Sequence, residues 1–343
     1  MIKVLLLDER HDSAWDDYVS AHSDGTPFHL TRWRDAVARA FGHPSLFLGA
    51  FRKERLCGVL PLVHLKSRLF GNILSSVAFA AYGGILADDS EVFDALLAKA
   101  RLAARLYQTD WLELKFLEEP PCRLPGQDDL YVTFVKEIFP DPQKNYAAIP
   151  RKQRRMIRVG QKAGLVARTG HSCLDDFYEI FAVNVRRLGT PVYSRRWFSE
   201  LLGAFGENAE IMVVEYRGKV VSGVLSLYFR DTVYPYYAAS LTEYRRYAPN
   251  DFQYWELMTR AAARGCKRFD FGRSKRDTGQ FHFKRHWGFT PRPLHYRYIL
   301  NRVSELPALN PLNPAYRRKI EAWKRLPLPV TKILGPQIVK YIP

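Results

Sequence analysis

The sequence predicts an α/β (α+β) protein made of two copies of one module, each a mixed sheet flanked by helices. Three observations carry this. Residues 46–62 (LFLGAFRKERLCGVLPL) and 211–227 (IMVVEYRGKVVSGVLSL) align without a gap, matching Leu46 to Ile211, Phe51 to Tyr216 and Gly58 to Gly223. In both stretches an apolar strand meets a charged turn and a second strand carrying Gly-Val-Leu-x-Leu. Each copy is then followed by a strand, a helix and a short acidic-apolar strand, Trp111-Leu112-Glu113-Leu114 in one and Phe269-Asp270-Phe271-Gly272 in the other. Two long copies do not make a solenoid. A chain of 343 residues also exceeds the usual size of a single core.

The elements follow in order. Residues 2–7 read as a strand, and Asp12 or Ser13 opens a helix through Trp15, Tyr18 and Val19. Thr31 caps the next helix, with Trp33, Val37, Ala40 and Phe41 at helical spacing and Gly42 at its end. After the first hairpin, residues 73–86 read as a strand and a loop broken at Gly83-Gly84. Val92, Leu96, Ala100, Ala103 and Leu106 share one face of a helix over 91–107. Strands at 111–117 and 130–139 flank a proline-rich loop.

A basic helix follows from Arg151, on which Met156, Val159 and Ala163 can form one apolar face, and the module boundary is placed just before it. The second module opens with helices at 174–188 and 194–205 and carries the second hairpin and a tyrosine-rich strand (Tyr234, Tyr236, Tyr237). Asn250 or Asp251 caps a helix to Arg264. Strands at 268–271 and 294–300 complete the module. The expected organisation is 1–145, 146–300 and a tail, 301–343, with a basic helix over 315–326 and an apolar-basic segment over 330–342.

A formal net charge of +17 favours anionic partners: nucleic acid, phosphorylated carriers or an acidic lipid surface. Cys57, Cys122, Cys173 and Cys266 lack C-x-x-C spacing, so neither a disulfide framework nor a metal site is expected. The apolar run Val4–Leu7 is too short for a signal peptide, and no stretch reaches the length of a membrane-spanning helix. The cytoplasm is the expected location, with peripheral contact at the inner face of the plasma membrane through residues 315–343.

Three constellations could carry chemistry. Arg151, Arg154, Arg155, Arg158 and Lys162 recur at three- and four-residue steps, and guanidinium groups suit phosphate oxygens; a solvated basic face is the plain alternative. Gly272-Arg273-Ser274-Lys275-Arg276 joins cations to a glycine that lets backbone N–H groups approach an anion, although an exposed turn has the same composition. Phe281-His282-Phe283-Lys284-Arg285-His286-Trp287-Gly288-Phe289 could stack a base and stabilise an oxyanion, with His286 as a base, or could simply be core. Asp270 could be a catalytic carboxylate or could order the loop that follows it. Walker, nucleophile-elbow and Rossmann signatures are absent, and the acyl-CoA loop of ordinary acetyltransferases has no match.

Three segments together resemble the FemAB family of peptidyltransferases: Arg154-Arg155-Met156-Ile157-Arg158 with Lys162 and Gly164, Arg268-Phe269-Asp270-Phe271-Gly272, and Phe283-Lys284 with Trp287-Gly288-Phe289. Asn184 through Ser194 and Gly272-Arg273-Ser274-Lys275 look like the subgroup linked to the PEP-CTERM/exosortase exopolysaccharide system. The resemblance covers about residues 10–300 and implies tandem GNAT-like (acyl-CoA N-acyltransferase) domains. It also implies transfer of an acyl or aminoacyl group to an amine of a cell-envelope or exopolysaccharide precursor. No tightly bound cofactor is expected. The acyl donor, aminoacyl-tRNA or acyl-CoA, would be a co-substrate. In the family the Phe-Lys pair lies at the transfer site, here Phe283 and Lys284, and the basic helix meets a phosphorylated precursor, here through Arg154, Arg155 and Arg158. The helical arm that some family members insert for tRNA is missing. The expected site is therefore Lys284, Phe283, Asp270 and His286 for chemistry, with Arg154, Arg155, Arg158, Lys162, Arg273 and Lys275 on phosphates. The rival expectation is a non-catalytic membrane-associated binding module of a polysaccharide assembly system.

Overall fold

A computed structural model describes residues 1–307 and 317–342. The described residues form two compact units, 1–130 with 293–307 and 340–342, and 131–292 with 317–339.

The first unit has one sheet in the order Ile2–Leu7, Ser45–Arg52, Arg55–Ser67, Gly71–Ser76, Trp111–Phe116, His295–Leu300, Gly126–Gln127. Helix Ser90–Leu106 packs on one face. Its Val92, Leu96, Ala100 and Ala104 are fully buried against Leu48, Ala50, Leu60 and Leu62. Trp15 of helix Asp12–Ala21 stacks on Phe47 on the other face, with ring centroids 4.3 Å apart. The second unit has the order Ser274–Lys275, Tyr131–Glu137, Arg268–Asp270, Thr232–Ser240, Lys219–Phe229, Ala209–Tyr216, Val166–Thr169. Helix Leu174–Leu188 covers one face. Helix Pro249–Ala263 covers the other, where Leu257, Met258 and Ala261 meet Met212 and Val224.

The repeat is present, but the gapless alignment is one residue out of register. Strands Ser45–Arg52 and Ala209–Tyr216 have the same length, and their partners begin at Arg55 and Lys219. The bulges fall between Ala50/Phe51 and Val214/Glu215. All of these agree on Leu46 matching Glu210, not Ile211. A one-residue slip turns every side chain to the opposite face. The two glycines of Gly-Val-Leu-x-Leu accordingly serve different contacts. A Cβ on Gly58 would lie 2.5 Å from Val92, in the helix after the hairpin, whereas one on Gly223 would lie 3.2 Å from Ile180, in the helix before it.

Two strands belong elsewhere than expected, and the boundary lies at 130/131 instead of 145/146. Tyr131–Glu137 pairs with Arg268–Asp270 in the second sheet, and His295–Leu300 pairs with Trp111–Phe116 in the first. Trp111–Phe116 is buried along its whole length, so both edges need hydrogen-bonding partners. Gly71–Ser76 supplies one in parallel and His295–Leu300 the other.

Two expected caps also differ. Thr31 lies inside its helix, where its hydroxyl donates to Asp16. Helix Pro249–Ala263 starts after Ala248 at φ 52°, and Asp251 is buried, accepting from Trp287 Nε1 at 3.0 Å. A helix at Pro142–Ala148, unexpected from the sequence, is capped by Asp141, which accepts from Gln143 N.

The tail is not one segment. Residues 315 and 316 of its expected basic helix lie outside the described residues. Helices Arg317–Arg325 and Leu328–Val339 pack in the second unit. A Cβ on Gly189 would stand 2.4 Å from Ile320, and one on Gly335 2.8 Å from the Val192 backbone. Lys332 pairs with Glu179. Lys340 belongs to the first unit, where its carbonyl meets His43 Nε2 at 2.6 Å. Among the described residues no helix is long and apolar enough to cross a membrane.

Candidate functional site

In the second unit the sheet opens beside its last parallel pair. Strand Thr232–Ser240 pairs with Arg268–Asp270 only at Thr232↔Arg268 and Val233↔Phe269. Beyond that point Tyr234–Ser240 continues with Lys219–Phe229 alone, while the other chain leaves at Asp270. Forks at the carboxyl ends of parallel strands are where open α/β sheets bind ligands.

The residues after Asp270 are built around this fork. Asp270, buried, accepts from Thr133 Oγ1 at 3.1 Å and from the Gly272 backbone N–H at 2.8 Å. It thereby fixes the turn at Gly272, whose φ of 67° favours glycine. Its ordering role is thus visible. Thr278 caps helix Gly279–His286, accepting from Phe281 N and donating to the Lys275 carbonyl at 2.8 Å. Alternating aromatics in this stretch did not disclose a helix to sequence reasoning.

Lys284 comes from the inner face of that helix. Its Nζ donates to the carbonyls of Gly272 at 2.9 Å and Arg273 at 3.1 Å. It lies 5.5 Å from the Phe134 ring centroid and 5.9 Å from that of Phe271. Burial pulls its pKa from 10.5 down to about 7, with Asp270 opposing the shift and Arg273 adding to it. The ammonium form has three N–H donors, so one remains beyond the two carbonyls; the neutral amine has two, and both are taken. Phe283 is half-buried among Tyr254, Phe271 and Trp287. His286 is exposed. It follows Lys284 by two residues, about 200° around a helix, and so faces the other side.

Arg273 and Lys275 flank the Tyr131 ring at 4.6 and 5.7 Å from its centroid. The Lys275 ammonium and the Ser274 hydroxyl are buried without a hydrogen-bond partner. Burial, then the charge of Arg273, lowers the Lys275 pKa to about 8. Arg273 also acts electrostatically on Tyr193 and Tyr237, whose hydroxyls burial shifts upward, Tyr193 to about 12. Trp197 Nε1 donates to the Tyr237 hydroxyl at 3.0 Å. Lys284, Phe283, Asp270, Arg273 and Lys275 therefore gather in one place, joined by Tyr131, Thr133, Tyr193 and Tyr237. Those four were missed as site residues. The signals were the tyrosine-rich strand and the Asn184–Ser194 motif, while Tyr131 and Thr133 had been assigned to the other module.

The basic helix forms a second group. It buries Gln153, Ile157 and Gly160, not Met156, Val159 and Ala163. Gly160 sets this face, since a Cβ there would lie 2.8 Å from Phe252 of helix Pro249–Ala263. Arg155, Arg158 and Lys162 are exposed as a result. Arg154 lies over the Tyr146 ring at 5.9 Å, with its Nε buried and unpartnered. No hydrogen bond, ion pair or ring contact joins these four to the Lys284 cluster among the described residues.

The first unit holds a cavity of about 210 Å³ beyond the end of its own parallel pair. Asp24, Asp89, Glu118 and Glu119 line it, so the cationic character belongs to the fork of the second unit.

Residues 143–285 match the acetyltransferase (GNAT) domain family. This stretch contains the whole Lys284 cluster except Tyr131 and Thr133. The lipid II:glycine glycyltransferases of two Staphylococcus epidermidis strains are 31% identical over 101 residues, 27% of this chain and 24% of theirs. The match thus spans about a quarter of those relatives' length. The crystal structure of FemX is similar across 93% of this chain and 100% of its own, with a TM-score of 0.70 and 16% identity. A tandem GNAT protein from the clavulanic acid biosynthesis pathway is similar across 89% and 100%, with a TM-score of 0.58 and 11% identity. The fold of this chain is the tandem GNAT fold, two mixed α/β units.

Proposed function

We propose that the chain transfers an acyl or aminoacyl group to an amine of a cell-envelope or exopolysaccharide precursor, and that the fork of the second unit is the transfer site. One observation carries this reading. Lys284 is buried at the end of a splayed parallel pair, with two N–H groups on backbone carbonyls and, in its ammonium form, a third for a ligand oxygen. The likeness to lipid II:glycine glycyltransferases supports the reaction class, and the FemX likeness supports the fold that hosts it.

In the transfer, the amine nitrogen bonds to the donor carbonyl carbon and the carbonyl π electrons move to oxygen. The intermediate collapses as the bond to the leaving oxygen or sulfur breaks, and the proton lost by the amine goes to that leaving group or to solvent. The third N–H of protonated Lys284 offsets charge on the oxygen, in a site where low dielectric strengthens the interaction, so this contribution falls as pH rises through about 7. Asp270 holds the Gly272 turn to which Lys284 is bound, and Phe283 packs against the donor. Arg273 and Lys275 hold its phosphates, aminoacyl-tRNA or acyl-CoA being the donor. The exposed Arg155, Arg158 and Lys162, with Arg154, meet the phosphorylated precursor. The tail adds peripheral contact with an anionic membrane, since Ile333 is 71% and Leu334 45% exposed beside the basic helix Arg317–Arg325.

The test is turnover by Lys284→Met with each donor class and a lipid-linked precursor. Loss of at least about a hundredfold in kcat is expected in a variant that still melts cooperatively. Wild-type turnover would discard the assignment.

A further inference from the structure

The first unit ends in a cationic, apolar surface built from three separate stretches of chain. Leu69, 79% exposed, stands at the tip of the turn between Arg55–Ser67 and Gly71–Ser76. Leu102, Leu106 and Tyr107, 46%, 71% and 38% exposed, occupy the last turns of helix Ser90–Leu106 and its cap, and Val303 is 37% exposed. Hydrogen bonds hold these stretches together. Asn72 Nδ2 donates to the carbonyls of Tyr107 at 2.9 Å and Gln108 at 3.0 Å, and His64 packs edge-on against the Tyr107 ring. Asn301 Nδ2 donates to the carbonyls of Thr109 at 2.8 Å and Ala104 at 3.2 Å. The backbone N–H groups of Asn301 and Arg302 both reach the Asp110 carbonyl at 3.0 Å.

Scattered exposed leucines need no explanation. These are gathered at one end and bordered by exposed Lys66, Arg68, Arg101, Arg105 and Arg302. Leu102 and Leu106 lie four residues apart on one stripe of the helix, with Arg101 and Arg105 on the adjoining stripe. Of the carboxylates nearby, Asp110 is occupied by the Asn72 backbone N–H at 2.8 Å, and Glu305 is exposed. We propose that this end of the first unit docks on an anionic lipid surface. Leucine side chains at the tips enter the boundary between headgroups and acyl chains, while the bordering cations meet lipid phosphates. Charge complementarity selects the occupant, because five cations bordering the apolar tips match a negative headgroup layer. The surface is formed by residues of the first unit, and the inference does not rest on the transfer reaction.

Co-sedimentation of the full chain with vesicles tests it. One set is phosphatidylcholine alone and the other contains phosphatidylglycerol. Binding is expected to the second set only and to weaken with salt. The double variant Leu69→Glu/Leu106→Glu, altered only at exposed positions, should keep its melting temperature and lose binding by on the order of a hundredfold. Ile333→Glu/Leu334→Glu, which removes only the contribution of the tail, should weaken binding far less. Undiminished binding by Leu69→Glu/Leu106→Glu overturns the proposal. So does a wild-type dimer that this variant dissociates without any vesicle binding, which would make the surface a protein interface.

Discussion

Replacing Lys284 by methionine gives a stability difference with a defined pH dependence. In the folded chain the ammonium is buried between two carbonyls and the Phe134 and Phe271 rings, and its pKa falls from 10.5 to about 7. Between these two values the unfolded chain holds the proton and the folded chain does not. Stability therefore rises with pH across that window. At 1.36 kcal/mol per pH unit the window is worth about 5 kcal/mol. Methionine fills a similar volume and does not titrate, so other groups cancel in the comparison. Urea unfolding of wild type and Lys284→Met at pH 6, 8 and 9.5 measures it. The stability of wild type minus variant should be flat below about pH 7, then climb by about 1.4 kcal/mol per pH unit. A difference independent of pH would mean that the ammonium is not desolvated, and the reasoning about Lys284 would fail.

Two other substitutions test local structure. Gly160→Val should destabilise by about 2–3 kcal/mol in denaturant unfolding, because its Cβ would meet Phe252 Cβ at 2.8 Å; a neutral result would refute the docking of the basic helix. Asp251, buried against Trp287, has its pKa raised from 3.8 to about 6 by burial, so the folded chain binds the extra proton in that window and stability falls as pH rises through it. Relative to Asp251→Asn, wild type should lose about 3 kcal/mol between pH 4 and 6 in thermal melts, and parallel curves would contradict this burial.

Much of the fold could be read from local pattern. Helix Ser90–Leu106 and both hairpins follow from apolar spacing, and Gly42 and Gly189 end their helices in left-handed geometry. What escaped was pairing between distant strands. Nothing local in Tyr131–Glu137 says that its edge partner is Arg268–Asp270, and that one misassignment hid Tyr131 and Thr133 from the site. Register failed for a related reason. Identical Gly-Val-Leu-x-Leu strings aligned readily, but the bulges at Cys57 and Val221 set the true offset. On the basic helix, arginine spacing showed a cationic face, whereas Gly160 decided which side is buried by allowing close approach of Phe252. In the fork, Lys284 and Arg273 stood out by type. The orientation of His286 did not, because that stretch was not recognisable as a helix.

The central claim is that the fork of the second unit holds a phosphorylated acyl donor against Lys284. Native mass spectrometry of the full chain with acyl-CoAs and aminoacyl-tRNAs in turn tests it most directly, alongside the Arg273→Ala/Lys275→Ala variant. A complex with one donor class in wild type, lost in the variant, is the predicted result. A complex that survives the loss of both cations, or none with any donor, would contradict it.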